Sequence, residues 1–290
     1  MAEGGFISDF KKLIKLRLTF LVVFSASVSF LIGSKEQDSI NWINWLILTI
    51  GGFLVTGAAN GFNEIIEKDL DKLMKRTSDR PIPAGRMTTG QALVLSLFMG
   101  IAGTLILVRL NFLTGVLSVF SIFLYAFLYT PAKRKSPIAV FIGAFPGALP
   151  PLIGYFAAFE NPQISWIPII LFLIQFVWQF PHFWAIAWVL DDDYKKAGFR
   201  LLPTTKRDKT SAFITFLSTL ILIPVSILPT IMGFGGYIIG IVSLVLSLIF
   251  SWLAFRLLKN LDIASAQKVM FGSFFYLPIV QVVLLFDFVG

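Results

Sequence analysis

The sequence predicts an all-α integral membrane protein with nine transmembrane helices and a cytoplasmic N terminus. Three observations predict this fold class: the composition, the number of long apolar runs, and the distribution of basic residues along the chain. Of the 290 residues, 57% are hydrophobic and only 14% are charged, and the mean hydropathy is +0.83. A soluble domain carries about 25% charged residues, so the composition excludes a soluble globular protein.

Nine apolar runs are long enough to cross about 30 Å of hydrocarbon as helices. They lie near residues 16–33, 43–62, 91–109, 112–130, 138–158, 165–190, 212–232, 236–255 and 270–289. The first run follows four basic residues, as the apolar part of a signal peptide would. However, eight further runs follow, and no small-residue cleavage site is evident. We therefore interpret the first run as a retained helix.

The basic residues support this topology independently. If the N terminus faces the cytoplasm, all 24 Lys and Arg residues except Lys35 and Arg109 lie on the cytoplasmic side. Such an excess is typical of cytoplasmic loops. It also explains the net charge of +8 without a nucleic-acid partner. The long, charged loops lie on this side too, so we expect an active site that faces the cytoplasm. No extended basic leader precedes the first run, which favours a bacterial inner membrane.

The domain organisation is predicted from two similar inner loops. Asp71 and Asp193 each lie at the end of an even-numbered helix, and each is followed ten residues later by a proline, Pro81 or Pro203. This suggests a single domain over residues 1–290, in which helices 1–4 and 5–8 form a weak parallel repeat and helix 9 is additional. Two such loops could close over one ligand.

The first inner loop, "NGFNEIIEKDLDKLMKRTSDRPIPAG", contains a regular set of oxygen-bearing side chains. Asn63, Glu67 and Asp71 are spaced four residues apart, so on a continuing helix they share one face. Such oxygens suit Mg²⁺, which usually takes one or two carboxylates and completes its coordination with water and phosphate. Bases, including Arg76 and Arg80, follow directly, which makes a magnesium and diphosphate site plausible. The alternative is an amphipathic juxtamembrane helix whose charges are solvated.

Two further inner loops carry charged residues. The stretch "WVLDDDYKKAGFRLLP" places Asp192 and Asp193 before Tyr194 and Lys195 at the end of helix 6. The stretch "YTPAKRKSP" contains bases without an acid, and such a loop is commonly a topology signal or a contact for lipid headgroups.

Together these motifs resemble those of the UbiA superfamily of intramembrane prenyltransferases. The pattern runs from Asn-x-x-x-acid-x-x-x-Asp through Arg-Pro and Tyr-x-x-x-Lys-Arg to an acidic cluster after helix 6, and nine helices match that superfamily's bundle. The stretches "GALPPLIGY", "WQFPHFWAIAW" and "DDDYKKAGFRLLP" are similar to the branch that farnesylates heme. The resemblance extends from about residue 10 to the end of the chain.

The resemblance implies a reaction and its participants. Farnesyl diphosphate and heme b would be the substrates, Mg²⁺ the cofactor, and membrane lipid the surroundings; heme A synthase is left open as a protein partner. Asn63, Glu67 and Asp71 would hold Mg²⁺, with a fourth ligand from Asp193. The diphosphate would be bound by Arg76, Arg80, Tyr129, Lys133, Arg134 and Lys195.

Two positions depart from the superfamily pattern. Glu67 stands where the central carboxylate is an aspartate, which keeps the charge on a longer side chain. The second motif would have an acid at Val189, and only its later member, Asp193, is present. Asp192 is a possible substitute. We interpret the difference as the heme-specific form of the motif.

His182 is the only histidine in the chain and falls within helix 6. An ionisable residue within the membrane is a candidate functional residue, and imidazole is the usual ligand of heme iron. The alternative is that His182 only bonds a carbonyl freed by Pro181. Under the resemblance, we expect His182, Trp178 and Tyr194 to contact heme.

Two other functions remain open from the sequence. One is a UbiA-type prenyltransferase for an aromatic quinone precursor, against which the "PHFWAIAW" stretch and the missing acid at Val189 argue. The other is a secondary transporter of an anionic solute. Transport predicts ionisable residues at mid-membrane on several helices, whereas here the charges lie at helix ends, apart from His182.

Overall fold

The computed structural model describes residues 5–289, which are almost entirely helical. The helices are α1 (Phe6–Leu13), α2 (Leu16–Glu36), α3 (Trp42–Asp71), α4 (Thr89–Val108), α5 (Phe112–Ile122), α6 (Thr130–Ala132), α7 (Ala139–Ala157), α8 (Trp166–Val189), α9 (Asp191–Lys196), α10 (Lys209–Ile231), α11 (Tyr237–Asn260) and α12 (Ile263–Phe286). A π-helical segment, Phe123–Tyr129, joins α5 to α6.

Within the described residues, nine spans are long and apolar enough to cross a membrane, when Phe112–Ala132 is counted as one continuous span. The predicted nine-helix, all-α membrane architecture is therefore confirmed. Large apolar side chains cover the outer surface of the bundle; Phe98 and Ile241, for example, are 67% and 64% exposed. Because lipid solvates such side chains as well as a protein core does, the chain is a multi-pass membrane protein.

Several helices extend beyond the predicted apolar runs, and α3 and α12 extend furthest. The helix α3 continues past residue 62 to Asp71, because its final polar residues are buried against other segments rather than solvated. The helix α12 begins at Ile263 instead of near residue 270, and the side chain of Asp262 accepts a hydrogen bond of 2.6 Å from the Ser265 amide. Such a cap stabilises a polar first turn that hydropathy alone does not reveal.

The bundle is organised around α2 and α8. The helix α2 packs against α3, α7 and α12, whereas α8 packs against α7, α10 and α12. Consequently α2, α7, α8 and α12 surround a common interior. The repeat predicted for helices 1–4 and 5–8, and the single domain that contains it, stay predictions; residues 1–4 and 290 of that domain lie outside the described residues.

Small residues allow the closest of these helix contacts. A Cβ atom at Gly154 of α7 would overlap the Ala26 carbonyl of α2, and one at Gly103 of α4 would lie 2.9 Å from the Gly51 carbonyl oxygen of α3. Close backbone approach of this kind is the usual packing of helices in membranes. The glycines at these positions therefore allow the close contacts of α2 with α7 and of α3 with α4.

A buried polar network joins the four central helices. Ser25 of α2 donates a hydrogen bond to Gln175 of α8 (2.7 Å), and Gln281 of α12 donates to Ser25 (2.6 Å). The amide of Gln175 also donates to the carbonyl oxygen of Gly147 at 2.6 Å. In a regular helix that carbonyl would bond the amide of residue 151, which is a proline and has none. Gln175 therefore satisfies a group that the proline-rich α7 leaves free.

We expect Gly154→Ala to destabilise the protein, because the new methyl group meets a backbone carbonyl that no rotamer change can move. The cost should be about 1–3 kcal/mol, as for other overpacked interiors. The midpoint of thermal unfolding in detergent measures it. Gly52→Ala is the matched control, since a Cβ there would have its nearest neighbour at 3.8 Å. Equal midpoints for the two variants would contradict the close α2–α7 contact.

Candidate active site

The inner end of α3 carries the first predicted motif on one buried face. Asn63, Glu67 and Asp71 are 1%, 3% and 0% exposed. The helix continues without a break through all three, so the predicted alignment of their side chains is confirmed. Carboxylates buried to this extent need partners, because desolvation of an unpaired charge costs several kcal/mol.

Each carboxylate of this face is paired with a base. Lys133 Nζ lies 2.6 Å from Glu67 Oε1, and Asn63 Nδ2 donates a hydrogen bond to Glu67 Oε2 at 2.9 Å. Arg80 Nη1 donates to Asp71 Oδ2 at 2.6 Å. Lys133 and Arg80 were both predicted to bind diphosphate, and the structure brings them to the predicted metal ligands. We call this group, with Asn63, the inner charge cluster.

Lys15 completes the cluster, although sequence analysis counted it only as a topology signal. It precedes α2 with φ of 48°, a left-handed conformation that few residues other than glycine adopt. Its Nζ donates to Asn63 Oδ1 at 2.5 Å, and it makes no ion pair within residues 5–289. Burial, followed by the charges of Arg80 and Lys133, lowers the pKa of the Lys15 ammonium well below its ordinary value. An additional anion beside Lys15 would therefore be favourable.

Glu64 is a second residue that sequence analysis missed. Its side chain is fully buried, and Oε1 accepts a hydrogen bond from the Ile82 amide at 3.1 Å, whereas Oε2 has no hydrogen-bond partner in the described part of the chain. This bond fixes the loop directly after Arg80 and Pro81. The sequence did indicate that Glu64 belongs near the site, because it is adjacent to Asn63 and lies one helical turn before Glu67.

The π-helical segment places two tyrosines over the lysines of the cluster. Lys133 Nζ lies 4.9 Å from the centre of the Tyr129 ring, and Lys15 Nζ lies 5.7 Å from that of Tyr125. Cation–π contacts of this kind stabilise buried ammonium groups. Thr130, directly after the segment, accepts a hydrogen bond from Asn63 at 3.0 Å. Local π-helix is often found at functional sites.

Asp193 joins the two inner loops that were predicted to close over one ligand. Its carboxylate accepts hydrogen bonds from the backbone amides of Lys75 (3.0 Å) and Arg76 (3.2 Å). Partial burial acts against ionisation, but these amides and Lys196 hold the pKa of Asp193 below its ordinary value. A hydrogen bond of 2.7 Å from the Arg200 amide to the Lys133 carbonyl ties the same region to the third loop.

The remaining predicted residues of this face lie at its exposed rim. Asp192 is exposed and pairs with Arg207 at 3.0 Å, so the structure does not bring it to the cluster. Lys195 pairs with Asp191 at 2.6 Å. Arg76 lies 6.0 Å from the centre of the Tyr194 ring. Arg134 is also exposed.

Helix α1, which hydropathy does not predict, holds the Arg80 loop from outside. Arg86 donates to Asp9 of α1 at 2.8 Å and to Asp79 at 2.9 Å, and Lys12 of α1 pairs with Asp79 at 2.6 Å. Leu13 is fully buried in a small apolar cluster with Ile82, Met87 and Ala92. The position of Arg80 therefore depends on α1 as well as on Glu64.

The cluster offers oxygen ligands that fit Mg²⁺. Asp71 Oδ1 is buried and has no hydrogen-bond partner among the described residues. No group of three or more Asp, Glu, His or Cys side chains suited to a metal occurs in residues 5–289, so the donor set is two carboxylates and the Asn63 amide. A sparse oxygen set is what Mg²⁺ uses when water and phosphate complete its coordination.

The three residues expected at heme are divided between two places. His182 and Trp178 stack on each other within α8, with ring centres 4.4 Å apart and an angle of 17° between the planes. Tyr194 lies instead in the inner loop, where its ring packs 5.8 Å from that of Phe199. The structure thus brings two of the three together.

Comparisons with known proteins show the family and the fold. The model of the UbiA prenyltransferase family matches residues 22–277. A protoheme IX farnesyltransferase from Cytophaga hutchinsonii is 47% identical over 278 residues, which cover 95% of this chain and 96% of that protein. Among solved structures, one of digeranylgeranylglyceryl phosphate synthase has a TM-score of 0.80 at 21% identity and covers 97% of this chain and 98% of its own.

A second solved structure resembles the chain at lower identity. It is a UbiA homologue from Archaeoglobus fulgidus bound to GPP and Mg²⁺, with a TM-score of 0.71 at 12% identity, and it covers 96% of this chain and 99% of its own. At these identities the two solved structures show the fold alone.

We expect Asp193→Ala to loosen the contact between the first and second inner loops. The variant loses two charge-assisted hydrogen bonds, so amide hydrogen exchange at Lys75 and Arg76 should become about 10-fold faster or more. In the unchanged protein the folded-state pKa of Asp193 is lowered, so the same bonds should be complete at neutral pH and lost as the pH falls through that pKa.

Asp192→Ala is the matched control for this experiment, because Asp192 is the adjacent exposed acid and accepts no bond from the first loop. Exchange that is unchanged in Asp193→Ala would show that the loops do not depend on this carboxylate.

Proposed function

The chain belongs to the UbiA prenyltransferase family, and we propose that it transfers a farnesyl group from farnesyl diphosphate to a vinyl group of heme b, which gives heme O. The observation that carries this proposal is the near-full-length similarity to protoheme IX farnesyltransferase. The inner charge cluster supports the same reaction, because it is suited to bind a diphosphate together with a divalent cation.

Three buried or half-buried bases would receive the diphosphate. Arg80 and Lys133 are now paired with Asp71 and Glu67, whereas Lys15 donates only to uncharged groups, the Asn63 amide oxygen and the Tyr125 hydroxyl. A diphosphate at this place would offer these bases a more highly charged partner in surroundings that exclude water, where such bonds are strong. Arg76, Arg134 and Lys195, at the rim, would contact its outer oxygens, and Tyr129 would cover Lys133.

Asn63, Glu67 and Asp71 would hold Mg²⁺, as the UbiA homologue bound to GPP and Mg²⁺ suggests for this fold. When bound, the ion would stabilise the charge that develops on the diphosphate as the allylic C–O bond breaks. Asp71 would supply its Oδ1 atom, which is buried and has no hydrogen-bond partner among residues 5–289. Asp193, the fourth predicted ligand, would first have to give up its bonds to the Lys75 and Arg76 amides. Asp192 lies at the rim, and we assign it no metal.

Aromatic rings next to the cluster would protect the allylic group during transfer. The rings of Tyr129 and Phe183 lie with centres 6.5 Å apart, directly beside Lys133. Ring faces stabilise a nearby cation and at the same time exclude water that would otherwise trap it. The electron-rich vinyl group of heme b would attack the allylic carbon as diphosphate leaves. Water would then add to the carbocation formed on the former vinyl group and lose a proton, which gives the hydroxyl of heme O.

We place the active site on the cytoplasmic side of a bacterial inner membrane. This proposal rests on the charge distribution, since the bases of the inner charge cluster and its rim belong to the positive side of the bundle. A contact with heme A synthase stays a prediction.

The first experiment is to incubate the purified protein with heme b, farnesyl diphosphate and Mg²⁺ and to separate the hemes by chromatography with mass detection. A heavier, more hydrophobic heme that requires Mg²⁺ supports the proposal. If folded protein binds the diphosphate but forms no such heme, the acceptor is another molecule, such as an aromatic quinone precursor. If it binds no diphosphate, transport of an anion becomes the better hypothesis.

We expect Asp71→Asn to lower farnesyl transfer at least about 100-fold, because it removes charge from both the metal site and the Arg80 pair. The protein should remain folded and inserted. Asp69→Asn is the matched control, since Asp69 lies on the same helical turn but is exposed and pairs only with Lys72. Full activity in Asp71→Asn would remove this carboxylate from the site.

We expect Lys15→Met to raise the KM for farnesyl diphosphate about 10-fold or more, with a smaller effect on the KM for heme. A hydrogen bond to a charged group contributes about 1.5–3 kcal/mol, and about 1.4 kcal/mol corresponds to a factor of ten. Lys11→Met, which removes an exposed base of α1, is the control. If both variants have the same KM values, Lys15 does not bind the diphosphate and contributes only to the orientation of the protein in the membrane.

A further inference from the structure

His182 forms a hydrogen bond to another helix from within the membrane-spanning part of α8. Its Nδ1 atom lies 2.7 Å from Ser273 Oγ of α12. The bond therefore does not go to the carbonyl that Pro181 frees in its own helix, which was the structural alternative for this residue. Ser273 is fully buried, and His182 is partly buried.

The hydroxyl of Ser273 determines which nitrogen of His182 carries the proton. A serine hydroxyl has a single proton to donate. Ser273 Oγ donates it to the Met270 carbonyl at 2.5 Å. Ser273 can therefore only accept from His182, so Nδ1 is protonated and donates. In a neutral imidazole the other nitrogen, Nε2, then carries the lone pair, and within the described residues Nε2 has no hydrogen-bond partner.

The ring of His182 is also held in a fixed orientation. Trp178 stacks on one face with ring centres 4.4 Å apart, and Phe274 of α12 packs edge-on at 5.4 Å. Trp178 is itself fixed by a hydrogen bond of 3.0 Å from Nε1 to the Ser273 carbonyl. One residue of α12, Ser273, therefore positions both rings.

These features are those of an imidazole prepared to bind a metal. Histidines that bind metals as neutral ligands commonly donate their second N–H to a neighbouring group, which fixes the tautomer and the ring orientation. We propose that His182 Nε2 is the axial ligand of the heme iron, with Ser273 as the residue that positions it. This inference rests on the proposed function, because heme b enters only as its substrate.

The position of His182 relative to the inner charge cluster is consistent with this role. Lys133 lies over the Tyr129 ring, Tyr129 contacts Phe183 at 6.5 Å, and Phe183 contacts His182 at 5.4 Å. The two sites are thus connected by two aromatic rings. A heme bound at His182 would therefore be separated from the diphosphate site only by these two rings.

The test is the absorption spectrum of heme b bound to the purified protein, in the ferric form and as the ferrous carbon monoxide complex. The unchanged protein should show a histidine-ligated heme. His182→Ala should lose this signature, and added imidazole should restore it. Restoration is specific to ligation, because a residue needed only for packing would not be replaced by a free ligand.

Ser273→Ala tests the positioning role without removing the ligand. We expect heme affinity to fall about 10-fold, as is typical when a group behind a metal ligand is lost, with diphosphate binding unchanged. Ser118→Ala is the matched control. Ser118 is likewise fully buried and donates to the carbonyl three residues earlier, at 2.7 Å, but contacts no histidine.

The outcomes separate this inference from the proposed function. If the unchanged protein farnesylates heme but His182→Ala keeps the same heme spectrum, the inference is wrong and the proposed function stands. Equal heme affinities of Ser273→Ala and Ser118→Ala would also contradict the positioning role. Protein that binds diphosphate but no heme would overturn both.

Discussion

Burial of charge at the inner end of α3 is the constraint on which the rest of the site depends. Glu64, Glu67 and Asp71 are almost closed to solvent, and a buried carboxylate without a partner would cost several kcal/mol. Their partners come from three other places: Lys133 after α6, Arg80 in the first loop, and the Ile82 amide beyond it. To neutralise one helix face, the chain must therefore bring its inner loops together. The arrangement of these loops therefore depends on electrostatics as well as on apolar contacts such as the cluster around Leu13.

The same pairing makes the cluster responsive to a ligand. The attraction within a buried acid–base pair offsets only part of the free energy that the two charges lose on leaving water. A ligand with better geometry or more charge can therefore replace one member of the pair. A diphosphate with its cation carries both kinds of charge and could bind the bases and the acids at once. Because Arg80 also depends on Glu64 and on α1 through Arg86, such an exchange would act on the whole first loop. Substrate binding and loop position are therefore linked by shared residues.

The sequence was sufficient for features set by local spacing. The nine spans follow from apolar length, and the alignment of Asn63, Glu67 and Asp71 follows from helical periodicity. Features set by distant partners could not be predicted. The partner of Lys15 is 48 residues away, and Asp193 bonds an amide 118 residues earlier in the chain. A hydrogen bond to a backbone amide does not depend on the type of the residue that donates it, so it cannot be recognised in the sequence. A motif therefore identifies an acid such as Asp193 but does not show whether its carboxylate binds a metal or the backbone of another loop.

The ninth helix shows how the two halves of the predicted repeat can differ in chemistry. In the predicted repeat α3 and α8 are equivalent, and each lies against its neighbours in the interior. Yet α3 ends in charges that bases neutralise, whereas α8 carries His182 within its membrane-spanning part. That ring obtains its orientation from Ser273 of α12, a helix outside the repeat. The additional helix packs against both halves of the predicted repeat, through α2 and α8, but only on α8 does it orient a histidine ring. If the repeat is real, this one contact makes its two halves chemically different.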